Sequence, residues 1–260
     1  MLKKETDKFV DSSIFEGMTS ISALIKAIEG NKNDRRIIKI LFDKDKLNSK
    51  RPEYGFLRAK SQSLGYELEL CDAEKISEIT IGNSHGGIVA ICSEREIPHL
   101  ASLNIKSDGI YYMLEGVEDP YNFGYAVRSL YAAGADGIIV GVRNWMGAAG
   151  VVARSSAGAS ELIDMYSVSD CAEALYIFRE RGYTVICAGI RDSSDLFDTD
   201  LKPPLFVIIG GEKRGISRAV LDKADAIVRI GYGNDFNGSL STAATAAVFG
   251  FEISRKVRNL

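Results

Sequence analysis

Three separated segments place polar side chains on glycine-rich turns between an apolar strand and a helix, the sites where open α/β sheets bind ligands. The first is EGVEDPYNFGYAVRSLYAAGAD, residues 115–136. An acidic turn with Asp119-Pro120 leads into a helix starting near Asn122, whose side chain can cap it, and Gly124 permits close approach. Arg128 follows Asn122 by about one and two-thirds turns, so the two do not stack, yet both can address the carboxyl end of the preceding strand. A capped helix with a surface arginine is an equal reading of this segment alone. The second is LFVIIGGEKRGISRAV, residues 205–220. Glycines bracketing Glu212, Lys213 and Arg214 expose backbone N–H groups at a helix start, which suits a polar small molecule as well as a tight turn. Glu212 is either solvated or set to orient a cation such as Arg128. The third, GYGNDFNGSLSTAATAAVFGFEISRK (231–256), delivers Ser239 and Ser241 at a helix start rich in alanine. An N-cap serine on a tightly packed helix would read the same way.

These turns need strands to hold them. Near-continuous apolar runs occur at 109–116, 136–141, 183–190, 205–211 and 226–231, with helix-like stretches at 122–133, 150–160, 170–181, 216–223 and 239–256. Strands alternating with helices predict an α/β domain with a mostly parallel sheet, and a run such as LFVII fits burial on both faces. Upstream, helices at 21–30 and 53–65, both stopping at glycine, alternate with strands at 37–42, 66–70 and 86–92. Residues 93–108 are polar, contain Pro98, and read as a linker.

The chain has 260 residues, 46% of them hydrophobic and 26% charged, with 32 Lys plus Arg against 35 Asp plus Glu. Whole-chain disorder and a uniformly basic coat are excluded. Charge is uneven, however: residues 32–60 hold ten basic and four acidic side chains, a solvated face or a phosphate-contacting one. Four cysteines without a C-x-x-C pair and two histidines offer little for a metal site, and no metal is expected. Free thiols point to a reducing compartment; with no spanning segment and no secretory signal, a cytoplasmic protein free of membrane is expected. G-x-G-x-x-G and P-loop signatures are both absent.

Taken together, the three segments resemble the signature motifs of the SpoU (TrmH-type) RNA ribose 2′-O-methyltransferases of the SPOUT superfamily. Asn122-Phe-Gly124-Tyr-Ala-Val-Arg128 matches N-x-G-x-x-x-R after a D-P turn; Gly210-Gly211-Glu212-Lys213-Arg214-Gly215 matches G-x-E-x-x-G; Ser239-Leu240-Ser241 stands where the family has S-L-N. ARSSAGASEL (153–162) is similar to the family's S-A-G-A segment, and SHGGIVAI (84–91) to the end of a ribosomal-protein-L30-like domain, so the resemblance covers nearly the whole chain. Two departures stand out: Ser241 replaces the asparagine, and Ile230-Gly231-Tyr232 replaces I-P-x.

The resemblance implies a trefoil-knotted parallel-sheet catalytic domain over 109–260, a linker at 98–108, and a smaller L30-like α/β RNA-binding domain over 1–97, its first ~12 residues flexible. It implies a homodimer with the active site near the interface, and S-adenosylmethionine held by Ala188, Gly189, Gly210, Gly211, Gly215, Ile230 and Leu240. Arg128 would bind the target phosphate and ribose oxygen, with Asn122 positioning it or the ribose. Glu212 would hold its loop or pair with an arginine, Ser239 would bond near the hydroxyl, and Ser241 would fill the asparagine's place. Arg35, Arg36, Lys50, Arg51 and Arg154 would contact RNA, ribosomal RNA in the first instance. A transfer-RNA substrate, or a non-catalytic ribosome-associated RNA binder on the same scaffold, are the alternatives.

Overall fold

The computed structural model describes residues 14–80, 85–102, 105–141 and 148–258; the opening residues expected to be flexible lie outside these. The described chain forms two compact units, one made of residues up to Glu96 with those of 148–162, the other running from Ile97 to 141 and from Ile163 onward.

In the first unit the apolar alternation of the N-terminal half builds a four-stranded sheet. Its strands are β1 (Ile14–Glu16), β2 (Ile37–Asp43), β3 (Glu67–Cys71) and β4 (Ile88–Cys92), in the order β1-β4-β2-β3. β2 runs parallel to β3 and antiparallel to β4. Helices α1 (Gly17–Glu29) and α2 (Arg51–Leu64) supply Leu24, Ile25 and Leu57 to a core with Phe15, Ile40, Phe42 and Ile88. α2 ends at Gly65 in the left-handed region (φ 76°), as a glycine stop requires. A short helix α3 (Ala73–Ile79), too brief for a periodic signal, covers Leu41 and Val89 with Ile76.

The second unit is a seven-stranded sheet, parallel in all its pairings. Its strands are β5 (Ile110–Glu115), β6 (Gly137–Gly141), β7 (Met165–Val168), β8 (Thr184–Ala188), β9 (Ser194–Asp195), β10 (Leu205–Gly210) and β11 (Ala226–Arg229), ordered β7-β6-β5-β10-β8-β11-β9. Leu205 to Ile209 are all buried, as the LFVII run predicts for a central strand. Helices α4 (Pro120–Ala133), α7 (Cys171–Glu180) and α9 (Thr242–Arg258) cover the sheet, and Phe178 stacks on Phe206 with centroids 4.1 Å apart. The helix expected at 216–223 shortens to α8 (Arg218–Leu221).

Two boundaries differ from the sequence reading. The polar 93–108 stretch is no free connection beyond Glu96: Leu100 and Ile105 are buried in the second unit's core, and Ser167 donates its N–H to the Pro98 carbonyl (2.9 Å) and its hydroxyl to Ile97 (3.2 Å). Apolar residues spaced through a polar stretch were too sparse to show this. Helices α5 (Ala149–Ser155) and α6 (Ala159–Leu162), inside the C-terminal span by sequence, pack in the first unit, where Ala153 joins its core. Between them Gly158 adopts φ +82° and approaches α1 so closely that a Cβ would lie 2.2 Å from that of Ala23. Strain and collision act together there, so Gly158→Ala is expected to cost the unit about 2 kcal/mol or more. Urea denaturation of the variant would show a lowered midpoint; an unchanged midpoint contradicts the packing.

Candidate active site

The carboxyl ends of β8, β10 and β11, with the start of α9, surround one cavity of about 640 Å³ in the second unit. β10 stops at Gly210-Gly211 because the chain beyond must pass against its neighbours. A Cβ on Gly211 would lie 2.4 Å from the Gly116 carbonyl oxygen, and one on Gly210 would lie 2.7 Å from the Gly215 backbone. Gly211 donates its N–H to the Glu115 carbonyl (2.6 Å), and Gly215 donates to Gly211 (3.0 Å), closing the turn.

One carboxylate ties three loops together. Glu212 Oε1 accepts from Asn122 Nδ2 (3.0 Å) and from the backbone N–H of Thr242 (3.2 Å). Buried Thr242 donates its hydroxyl to the Gly210 carbonyl (3.0 Å), so the start of α9 is fastened to the end of β10. Lys213 adds a bridge to Glu118 at 2.7 Å. The acid that sequence left between solvation and pairing with arginine is thus an acceptor for an amide and a helix N–H.

All seven backbone-rich positions, Ala188, Gly189, Gly210, Gly211, Gly215, Ile230 and Leu240, line the cavity, together with Glu212 and Ser239. Asn122 reaches it through Glu212. Arg128 is exposed on α4 and is not a lining residue. Ser241 is not one either: its Oγ accepts from the Ala244 N–H (3.2 Å) and so caps α9. Asn122 does not cap α4. Asp119 does so, accepting from the N–H groups of Tyr121 (2.8 Å) and Asn122 (2.9 Å), because Pro120 fills the first helical position and moves the start forward. Sequence reasoning missed Leu221, Phe236, Thr245 and Phe249 as lining residues. Of these only Phe236, an aromatic in a Gly/Asn-rich loop, carried a visible signal.

The walls are mostly backbone and aliphatic carbon, with Glu212 and Arg229 the charged lining residues. Among the described residues no three His, Cys, Asp or Glu side chains group as a metal site would require. Burial pushes the Cys187 thiol up to about 12, so it is no thiolate nucleophile at neutral pH. What the cavity offers is a slot with an apolar floor and glycine-rich loops at an open mouth, of a size suited to a nucleoside-sized ligand.

The RNA-contact candidates separate. Arg36 and Arg51 are exposed and Lys50 is half-buried. Arg154 is held by Glu16 at 2.7 Å. Arg35 is corrected: it is 5% exposed, its Nε lies 3.0 Å from Glu161 Oε2, and it donates to the Ser93 carbonyl at 2.7 Å. Its guanidinium also sits 4.9 Å from the Phe15 ring centroid, leaving no face for a phosphate. Lys39, Lys44 and Lys60 pair with Glu67 and Glu69, Asp72 and Glu29, so acids outside 32–60 offset much of its charge.

A family model described as the SpoU rRNA Methylase family matches residues 109–251. The chain is similar to the 23S rRNA (guanosine-2′-O-)-methyltransferase RlmB of Ralstonia nicotianae, 29% identical over 228 residues, covering 85% of this chain and 89% of that one. It is also similar to RlmB of Shewanella oneidensis, 28% identical over 206 residues, covering 76% and 81%. The fold matches that of the SpoU methyltransferase AviRb from Streptomyces viridochromogenes, solved with AdoMet, at a TM-score of 0.76 and 22% identity, covering 94% and 89%.

Proposed function

The chain belongs to the SpoU rRNA Methylase family, and on that premise we propose that it transfers a methyl group from S-adenosylmethionine to a ribose 2′-hydroxyl of RNA, with ribosomal RNA as the substrate. The observation that carries this reading is Glu212, whose single oxygen joins the Asn122 loop and the start of α9 at the rim of a glycine-walled cavity. Relatives named for methylating 23S rRNA, matched over most of their length, support the choice of RNA.

The cavity fits the cofactor by its own chemistry. Its lining combines glycine-rich backbone with a few polar side chains, and glycine at 210 and 211 lets that loop pack against Gly215 and Gly116, where a Cβ would collide. Ala188, Gly189, Gly210, Gly211, Gly215, Ile230 and Leu240 would hold it, and it supplies an electrophilic methyl on a sulfonium. The chain's work is then alignment and charge. Asn122, fixed by Glu212, presents a polar group beside the pocket rim. Ser239, exposed and lining the cavity, can bond the target hydroxyl. Arg128 cannot act as a base, since its guanidinium stays protonated; it stabilises the oxygen as its proton leaves to phosphate or water.

Arg128 shares one face of α4 with exposed Tyr121 and Tyr125, and Phe251 is exposed on α9, which packs on α4. A second copy covering these aromatics would turn this face into a shared cleft, which supports a homodimer with its active site near the interface. The expected trefoil knot belongs to the same reading; its support is the return of β10 to lie between β5 and β8, with Gly211 pressed on Gly116. Unit one, with exposed Arg36 and Arg51, serves as the RNA-gripping module. The four cysteines are free and buried, consistent with work in the cytoplasm, and no described helix is long and apolar enough to cross a membrane.

Calorimetry with S-adenosylmethionine, paired with transfer of a labelled methyl group to ribosomal RNA, tests the assignment. Binding is expected, and Glu212→Ala is expected to weaken it about tenfold by releasing the start of α9. Retained RNA binding with no cofactor binding by the wild type would establish the non-catalytic alternative.

A further inference from the structure

The loop 231–241, where this chain departs from its family's pattern, carries two aromatics at the mouth of the cavity. Tyr232 and Phe236 both line it, with ring centroids 5.6 Å apart and planes tilted by 55°. The loop is organised around them. The Tyr232 hydroxyl accepts from the Leu240 N–H at 3.3 Å. The far end of the Phe236 ring lies over Gly238, where a Cβ would come within 2.4 Å of Cζ. Phe236 nevertheless remains 55% exposed, and Tyr232 is 39% exposed. A phenyl ring held in place by a glycine but left in water contributes little burial to the fold. What it supplies is a fixed π surface.

Two planar rings could use that surface: the adenine of a bound nucleoside cofactor, or an unpaired base of the RNA. The interior favours the division of labour. Ile209, Leu221, Val228 and Phe249 form apolar inner walls adequate for the nucleoside, whereas Phe236 stands at the rim and faces what arrives from solvent. Single-stranded RNA is recognised by splayed bases stacking on aromatic side chains, with hydrogen bonds to their edges. Asn237 and Ser239 flank the ring in the lining and offer such bonds.

We propose that Phe236, seated by Gly238 and Tyr232, is a base-stacking residue that receives an unpaired nucleobase of the RNA at the cavity mouth; this rests on the methyltransferase reading. The test uses the full chain with a 12-nucleotide single-stranded RNA carrying one 2-aminopurine, whose fluorescence falls on stacking, alongside calorimetry with S-adenosylmethionine. Wild type is expected to quench the probe. Phe236→Ala is expected to abolish quenching and weaken RNA binding about tenfold, with cofactor affinity within about twofold of wild type, and Phe236→Trp to restore both. Quenching retained in Phe236→Ala overturns the proposal, as does a parallel tenfold loss of cofactor affinity, which would assign the ring to adenine or to loop integrity. If the wild type binds no cofactor, the methyltransferase reading fails and this proposal with it. If it binds both ligands with no dependence on residue 236, this proposal alone fails.

Discussion

Replacing Arg128 with alanine is expected to slow methyl transfer about 100- to 1,000-fold, with the fold and cofactor affinity unchanged. The side chain is exposed on α4, and no hydrogen bond or ion pair holds it among the described residues. Its truncation therefore costs the fold no more than about 0.5 kcal/mol. On the proposed mechanism, a rate effect of that size follows from losing a permanent cation with a planar fork of donors that stabilises the developing alkoxide. Arg128→Lys keeps the charge and loses the fork, so its rate should fall between the two. Single-turnover transfer of labelled methyl at saturating cofactor, with a thermal melt as control, separates chemistry from stability. A rate within about threefold of wild type in the alanine variant would remove Arg128 from the mechanism. A proportionate loss of cofactor binding would move its role to the pocket.

The sequence made the scaffold of this site legible because each of its parts was local. The LFVII run fits a strand covered on both faces, and it is the centre of the sheet. The glycines at 210, 211 and 215 announced a turn with close backbone passage, and the crowding of Gly211 on Gly116 is its cause. What stayed hidden was non-local. Glu212 accepts from Asn122, 90 residues away, and no spacing rule carries that information. Local competition also misled. Asn122 and Ser241 are both good capping types, yet Asp119 with Pro120 takes the first cap, while Ser241 does cap its helix and so spends its hydroxyl on structure. Arg35 was the plainest loss. In a strongly basic stretch it reads as surface, and only the arrival of α6 from 126 residues downstream buries it.

That burial carries the largest stability effect expected in the chain. Arg35 and Glu161 are 5% and 3% exposed and meet at 3.0 Å. Asn33 donates to both the carboxylate (3.2 Å) and the carbonyl (3.0 Å) of Glu161, and Arg35 donates to the Ser93 carbonyl. Removing one partner strands the other charge away from water, so Arg35→Ala or Glu161→Ala is expected to cost about 3–5 kcal/mol in the unit that holds both. Replacing both by apolar residues of similar volume, Arg35→Met with Glu161→Leu, strands no charge and should recover most of the loss, although Asn33 and Ser93 would still lack partners. Chemical denaturation of the two single variants and the double variant measures this as a cycle. The same variants decide between the two roles open to Arg35. As a phosphate contact, its loss would lower RNA affinity and flatten the salt dependence while leaving the denaturation midpoint alone. As half of a buried pair joining β2's approach to α6, its loss should move the midpoint first, and the double variant should bind RNA like wild type.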